Sequence, residues 1–240
     1  MGAETNLWLI RHAPVDGPRG VIHGPDAPAD TSDVASFAAL KAKLPPNAFA
    51  VCSPARRTSE TALALGLDPV KEAAFREQDF GAWTGRRHND LVAELGDAYR
   101  DFWKSPASNR PPGGESFVDQ ILRATEGLAA LPAGDVVLVV HSGTIRAALA
   151  IALDLEPDGA LRFVIDPLSL TRIDRLDNGW RVVGSISVGE EAVCLEQRRR
   201  ASREERLCLS YEFRRSPRNV GNPMPAASKP PSTARICPVM

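Results

Sequence analysis

Two short apolar runs constrain this chain more than anything else in it: LWLI at residues 7–10 and VVLVV at 136–140. Neither alternates with polar residues, so a strand made from either must be buried on both faces. That pattern suits the interior of a parallel sheet covered by helices. Both runs lead into a histidine, the first through Arg11 to His12 and the second directly to His141. Ligands in open α/β sheets sit at the carboxyl ends of such strands. Pro14 and Gly17 delay helix entry after the first run, which leaves Arg11 and His12 at the strand end to line a site for an anion.

The rest of residues 1–189 follows a βαβα pattern. A third strand is expected at 49–52. Helices are expected at 33–44, 56–65, 89–103, 116–131 and 144–153. In the first helix Val34, Phe37, Leu40 and Leu44 form one apolar face. Near residue 180, SLTRIDRLDNGWRVVGSIS reads as two alternating strands joined by Asp177-Asn178-Gly179, a strong hairpin signal. The expected architecture is a three-layer α/β/α sandwich with a mostly parallel sheet, antiparallel at one edge.

Composition narrows the setting. A chain of 240 residues makes one large domain or two small ones, and 43% hydrophobic with 25% charged residues is ordinary for a globular protein. The net charge of −1 points to neither nucleic acid nor an anionic membrane as partner. No apolar run is long enough to span a bilayer. The N-terminus lacks the basic region and apolar core of a signal peptide. The four cysteines have no CxxC spacing, so a reducing cytoplasm is the expected location. A seam falls at Gly189. Of the chain's 29 Lys/Arg and 30 Asp/Glu, ten and six lie after it, which leaves 19 and 24 on residues 1–189. Residues 190–206 suit a charged helix. The remainder, rich in Pro, Ser and Asn, reads as a disordered tail, so the domain is placed at 1–189 and the tail at 190–240.

Within the domain, four segments carry the chemistry. Two strands end in His12 and His141. A third leads through Ser53-Pro54 into a helix that opens with Arg56 and Arg57. Between them REQDFGAWTG carries Glu77 and Asp79, with Gly81 and Gly85 as turn residues. Two histidines, at least two arginines and a carboxylate at one sheet edge make a phosphate site with an acid/base beside it. Ser116 suits a helix N-cap. Glu115 can cap that helix start or orient a pocket residue. Trp83 suits either core packing or stacking on a substrate ring, and His88 is expected at the surface.

These segments together, LIRHA, CSPARRTSETA, REQDFGAWTG, PGGES and VVHSGTIR, resemble the histidine phosphatase superfamily, the phosphoglycerate-mutase-like fold, over about residues 5–188. Within it the chain is most similar to the α-ribazole phosphatase-like branch, although Ala13 stands where glycine is common. The resemblance implies that His12 is the nucleophile and forms a phosphohistidine. It implies that Arg11, Arg57 and His141 hold the nonbridging phosphate oxygens. Arg57 matches the family's arginine and Arg56 is its runner-up. Glu77 takes the place of the general acid and base, with Asp79 its nearest rival. Apart from the resemblance, Ser142, Gly143 and Thr144, opening the next helix, are expected to add anion contacts from a helix N-terminus, and His23 to shape the substrate mouth.

The implied function is hydrolysis of a small phosphorylated metabolite, with α-ribazole 5′-phosphate as candidate. Mutase-type phosphotransfer and a non-catalytic phospholigand-binding module on the same fold are the alternatives. No metal or other cofactor is called for, since arginines supply the positive charge. The absence of GxxxxGK[ST] argues against a nucleoside triphosphatase, and Cys52 lacks the HCxxGxxR context of a cysteine-dependent phosphatase. The sequence assigns no oligomeric state. No residue after Gly189 has a part in this chemistry. A chain ended there is therefore expected to keep both its kcat/KM and its melting temperature; a drop of many degrees in melting temperature would make the segment part of the fold.

Overall fold

Strands β1 (Thr5–Arg11) and β4 (Gly134–Val140) pair in parallel at the centre of a six-stranded sheet. This computed structural model describes residues 4–186; the seam at 189 and the segment beyond it lie outside the described residues. The other strands are β2 (Phe49–Cys52), β3 (Val70–Lys71), β5 (Leu170–Leu176) and β6 (Gly179–Ile186). Their order is β3-β2-β4-β1-β5-β6. The first four strands in that order are mutually parallel, and β5 and β6 add an antiparallel hairpin at one edge.

The unalternating apolar runs are buried on both faces, which makes three layers. On one face Leu7, Leu9, Val136, Leu138 and Val140 meet Phe75, Leu128, Ile145 and Leu149. These come partly from helices α5 (Phe117–Ala129) and α6 (Ser142–Leu153). On the other face Ile10, Val137 and Val139 meet Phe37, Leu40, Ala62 and Leu65, alongside α1 (Val34–Lys41) and α2 (Arg56–Ala64). Each such side chain, fully buried, contributes about 1.5–3 kcal/mol. That burial is what keeps the strand ends fixed.

The structure departs from the sequence expectations in three places. Helix α1 is shorter than residues 33–44: Asp33 caps it by accepting from the Ser36 amide, and Val34, expected on the apolar face, is 73% exposed. The helix expected at 89–103 is two, α3 (His88–Leu95) and α4 (Asp97–Phe102), broken at Gly96 with φ of 53°. Glycine adopts that φ without the steric penalty of a side chain. The break brings Tyr99 and Phe102 against Trp83, Leu91 and Ile22 in a separate small core. Strand β3, only two exposed residues, was not expected. A short α7 (Pro157–Ala160) follows α6. Among the described residues no helix is long and apolar enough to cross a membrane.

Candidate active site

The β1–β4 register pairs Arg11 with Val140, so the residues that follow, His12 and His141, emerge side by side. The His12 amide donates to the Val140 carbonyl at 2.9 Å. The two imidazoles stand edge to face with centroids 5.1 Å apart. On the other flank of β4, the Ser53 amide donates to the Val139 carbonyl at 3.2 Å as β2 ends. Three neighbouring parallel strands thus deliver His12, His141 and Ser53 to one edge.

The hydrogen bonds fix the imidazole tautomers. His12 Nδ1 lies 2.7 Å from the Ala13 carbonyl. A carbonyl only accepts, so Nδ1 carries the proton and Nε2 presents its lone pair. Arg57 Nε donates to that Nε2 at 3.3 Å, its Nη1 to the Gly24 carbonyl at 2.8 Å, and its Nη2 to His141 Nδ1 at 3.2 Å. A guanidinium cannot accept, so His141 Nδ1 is bare and its Nε2 donates to Ser53 Oγ at 2.8 Å. Ala13 is itself buried in the core and has no positive φ. The alanine in place of the family's usual glycine is therefore accommodated without strain.

The site gathers buried cations. Burial lowers the Arg11 pKa to about 10, aided by Arg146, and the group remains charged at neutral pH. Arg11 Nη1 donates to the Ile165 carbonyl at 2.5 Å, and its Nε is buried with no hydrogen-bond partner. Arg57 is buried, and burial lowers its pKa. Burial first, then the charges of Arg11 and Arg57, holds His12 well below its ordinary 6.5. His141 is lowered likewise, by burial and then by His12 and Arg57. Two buried guanidiniums, one with an unpaired N–H, beside two neutral imidazoles form a receptor for a tetrahedral anion. Arg56 points away, exposed and paired with Glu60 at 2.7 Å. Of the two arginines left open by the sequence, Arg57 is the one at the histidines.

Glu77 reaches the same point from a loop. Its Oε2 is 4.0 Å from His141 Nδ1, and its Oε1 accepts from the Gln78 amide at 3.2 Å and from Gln120 Nε2 at 3.3 Å. Arg123 braces the loop from behind, donating to the Ala74 carbonyl at 2.8 Å and the Arg76 carbonyl at 3.0 Å and pairing with Glu115. Glu115 Oε1 also accepts from the Asp79 amide at 3.0 Å, so Glu115 orients the loop. The N-cap of α5 is Ser116, within a full capping box with Asp119. Asp79 turns its carboxylate to the Gly81 amide at 2.8 Å.

A cleft of about 1250 Å³ opens over these groups, lined near the histidines by Arg11, Arg57, Glu77 and His23. Ser142 and Gly143 form the first turn of α6, which follows His141 directly. Gly143 also makes room: a Cβ there would lie 2.3 Å from Glu77 Oε1 and 2.7 Å from Gln120 Oε1. One sequence expectation needs correction, since His88 is not a plain surface residue. It is half-buried, hydrogen-bonded through Nδ1 to the Tyr99 hydroxyl, and lines the far arm of the cleft with Tyr99 and Trp103. Trp83 is buried against Tyr99 and Phe102, which makes it core. Among the described residues no group of His, Cys, Asp and Glu is placed to hold a metal ion.

Sequence reasoning missed Gln120, Arg123 and the contact from Ser53 to His141. A signal for Gln120 existed. It lies on the buried stripe of α5 with Phe117, Ala124, Gly127 and Leu128, and an uncharged polar residue on such a stripe requires buried partners.

The family model for the histidine phosphatase superfamily (branch 1) matches residues 7–186. A bifunctional protein of Mycobacterium tuberculosis is 31% identical over 183 residues, which cover 71% of this chain and 50% of that protein. A 2,3-bisphosphoglycerate-dependent phosphoglycerate mutase of Azorhizobium caulinodans is 29% identical over 45% of this chain and 57% of its own length. The chain thus spans about half the length of the curated relatives it matches. Among solved structures, a mycobacterial glucosyl-3-phosphoglycerate phosphatase superposes with a TM-score of 0.65 at 28% identity, covering 75% of this chain and 97% of that one. An α-ribazole phosphatase from Shigella flexneri superposes with a TM-score of 0.66 over 78% of this chain and 99% of that one, a likeness of fold at 23% identity.

The lowered histidine pKa values have a measurable consequence. Unfolded, His12 and His141 take up protons near 6.5; folded, they do so only well below it. Their contribution to stability is complete above pH 6.5 and is lost as the pH falls from there, by about 1 kcal/mol per pH unit for each histidine. Denaturant unfolding between pH 7.5 and 5.5 is expected to show this decline, and His12→Asn to reduce its slope. Nitrogen-15 spectra over the same range are expected to keep Nδ1–H on His12 and Nε2–H on His141.

Proposed function

The chain belongs to the histidine phosphatase superfamily, and we propose that it hydrolyses a small phosphomonoester through a phosphohistidine on His12. The observation that carries this reading is the fixed tautomer of His12. Its Nδ1–H is held by the Ala13 carbonyl, so the lone pair is on Nε2, where it accepts from Arg57 Nε and is freed for phosphorus when that guanidinium turns to the phosphate oxygens. Phosphorus is attacked by a neutral imidazole nitrogen, and burial with two nearby guanidiniums keeps this imidazole neutral at working pH.

In the first step Nε2 bonds to phosphorus and the ester P–O bond breaks. The imidazole then carries positive charge, and the Ala13 carbonyl already accepts from its Nδ1–H. Arg11, with its unpaired Nε, and Arg57 take the nonbridging oxygens. An arriving phosphate dianion raises the proton affinity of His141, so its Nδ1 becomes a further donor. Glu77 gives its proton to the leaving oxygen. In the second step water attacks the phosphohistidine, Glu77 takes the proton, and the P–N bond breaks to release phosphate and restore His12. Glu77 serves here rather than Asp79 because its Oε2 faces His141, whereas the Asp79 carboxylate is turned to the Gly81 amide.

Phosphate fills only a small part of the cleft, which leaves room for a sizeable alcohol portion toward His88 and Trp103. A substrate panel starts with α-ribazole 5′-phosphate, on the sequence resemblance, and glucosyl-3-phosphoglycerate, on the mycobacterial neighbour.

Two outcomes test the mechanism. His12→Ala is expected to abolish turnover, and rapid-quench labelling from a ³²P-phosphomonoester is expected to give acid-labile label on the wild type alone. Acid-stable label, or a working mutant, would overturn the reading. Glu77→Gln is expected to lower kcat/KM for alkyl phosphates at least tenfold more than for p-nitrophenyl phosphate, whose leaving group needs no proton. An equal loss on both would take the acid role from Glu77.

A further inference from the structure

We propose that Gln120 is a positioning residue that fixes the transferable proton of Glu77 on Oε2, the carboxyl oxygen that faces His141. The inference rests on the reading of Glu77 as the acid and base of a phosphomonoesterase, and it concerns a residue outside every motif that carries that reading.

Gln120 is completely buried on the inner face of α5. Its two terminal atoms have opposite surroundings. One is met by the Arg76 carbonyl at 3.2 Å, Glu77 Oε1 at 3.3 Å and Thr144 Oγ1 at 3.4 Å. The other has no hydrogen-bond partner. A carbonyl oxygen set against a second carbonyl and a carboxylate would be repelled, so the surrounded atom is the nitrogen. The Thr144 hydroxyl supports this, because it donates to the Phe75 carbonyl at 3.2 Å and turns a lone pair to the amide. The amide orientation is thus dictated by its neighbours, and an unpaired Oε1 is the consequence.

This orientation makes the two oxygens of Glu77 unequal. Oε1 receives the Gln78 backbone N–H and the Gln120 N–H. A proton on Oε1 has to displace one of those donors. Oε2 faces no such donor and lies 4.0 Å from His141 Nδ1. The charged groups divide the same way. Arg11, Arg57, His12 and His141 stand on the cleft side. Behind, Arg123 is engaged by Glu115 and by the backbone oxygens of Ala74, Arg76 and Glu77. Gly143 completes the arrangement, since its missing side chain leaves the space that Glu77 Oε1 and Gln120 Oε1 share.

In the first step the proton leaves Oε2 for the departing oxygen as the P–O bond breaks, and the two N–H donors on Oε1 stabilise the carboxylate that forms. In the second step the water proton arrives on Oε2 as the P–N bond breaks. With the N–H of Gln120 removed, the proton divides between both oxygens, and only one of them is in reach of the substrate.

The test compares Gln120→Met, which keeps the length and lacks the donor, with Gln120→Glu, which carries an O–H donor only when protonated. The readouts are kcat/KM for an alkyl phosphate and for p-nitrophenyl phosphate across pH, with melting temperature alongside. Gln120→Met is expected to lower the alkyl-to-aryl ratio at least fivefold. It is also expected to move the basic limb of the alkyl profile to higher pH, since a carboxylate with one donor fewer holds its proton more tightly. Gln120→Glu is expected to recover the wild-type ratio as pH falls and lose it as pH rises. A merely structural role predicts equal losses on both substrates, an unmoved limb and no recovery on acidification, and that pattern overturns the proposal. Should Gln120→Met fail to fold, the acid recovery of Gln120→Glu decides alone. If Glu77→Gln itself leaves the ratio unchanged, the reading of the acid fails. If Glu77→Gln lowers the ratio and the Gln120 variants do not, only the role of Gln120 fails.

Discussion

The parallel pairing of Arg11 with Val140 puts His12 and His141 ring to ring, and Arg57 fits between them only because that register holds. A slip of one residue would turn every side chain of β1 to the opposite face of the sheet, sending Leu7 and Leu9 out of one core and His12 out of the cleft. The apolar runs therefore do two things at once. They bury Val136 to Val140 completely between the two helical layers, and in doing so they fix the position of His12, the proposed nucleophile, two residues beyond Ile10. The tautomer of His12 then follows from the backbone, since the acceptor for its Nδ1 is the next residue's carbonyl. The Ala13 amide in turn donates to Thr61 Oγ1 at 3.0 Å, which ties the turn to α2, the helix that carries Arg57.

This arrangement concentrates positive charge. Arg11 and Arg57 are drawn from water, and both are lowered in pKa chiefly by that burial, with Glu77, and for Arg11 also Asp166, acting in the opposite direction. Buried charges are destabilising unless paired and hydrogen-bonded. The surrounding core offsets the cost, and a bound anion would remove it. The same field keeps both imidazoles neutral. A site suited to an anion and a site that keeps the proposed nucleophile unprotonated are here one electrostatic arrangement.

The parallel centre, the hairpin edge and the positions of His12 and His141 were legible in the sequence because each follows from a short-range signal, whereas the choice of Arg57 over Arg56 came from the resemblance alone. Unalternating runs report two-sided burial, Asn-Gly reports a hairpin, and a residue that directly follows a strand needs no tertiary information to be placed at its end. What sequence could not supply were relations between segments far apart in the chain. The split of 89–103 into α3 and α4 depends on Gly96 adopting a positive φ, a choice made by the packing of Tyr99 and Phe102 on Trp83. Gly143 read as an anion-binding amide, and the room it leaves beside Glu77 and Gln120 could not be read from its own segment. Val34 fits the helical period of Phe37 and Leu40, yet it opens the first turn of α1 and stays exposed.

Glu77 poses the opposite problem to His12, because no strand holds it. Its precision comes from two loops pressed together. A Cβ on Gly81 would lie 2.2 Å from the Pro112 carbonyl, and one on Gly114 would lie 2.4 Å from the Asp79 carbonyl. The REQDFG and PPGGES segments meet backbone to backbone at these glycines, and the Glu115 amide donates to the Asp79 carbonyl at 2.9 Å to close the contact. Arg123 then fastens the first loop to α5, the helix that begins where the second loop ends. One helix thus carries both Arg123, which sets the backbone under Glu77, and Gln120 one turn earlier, which sets its carboxyl. A carboxyl group that must give up and regain a proton has to be held by groups that do not themselves compete for it. Backbone carbonyls, a paired guanidinium and an amide meet that condition, whereas a carboxylate or a second imidazole in place of Gln120 would share the proton it is meant to direct.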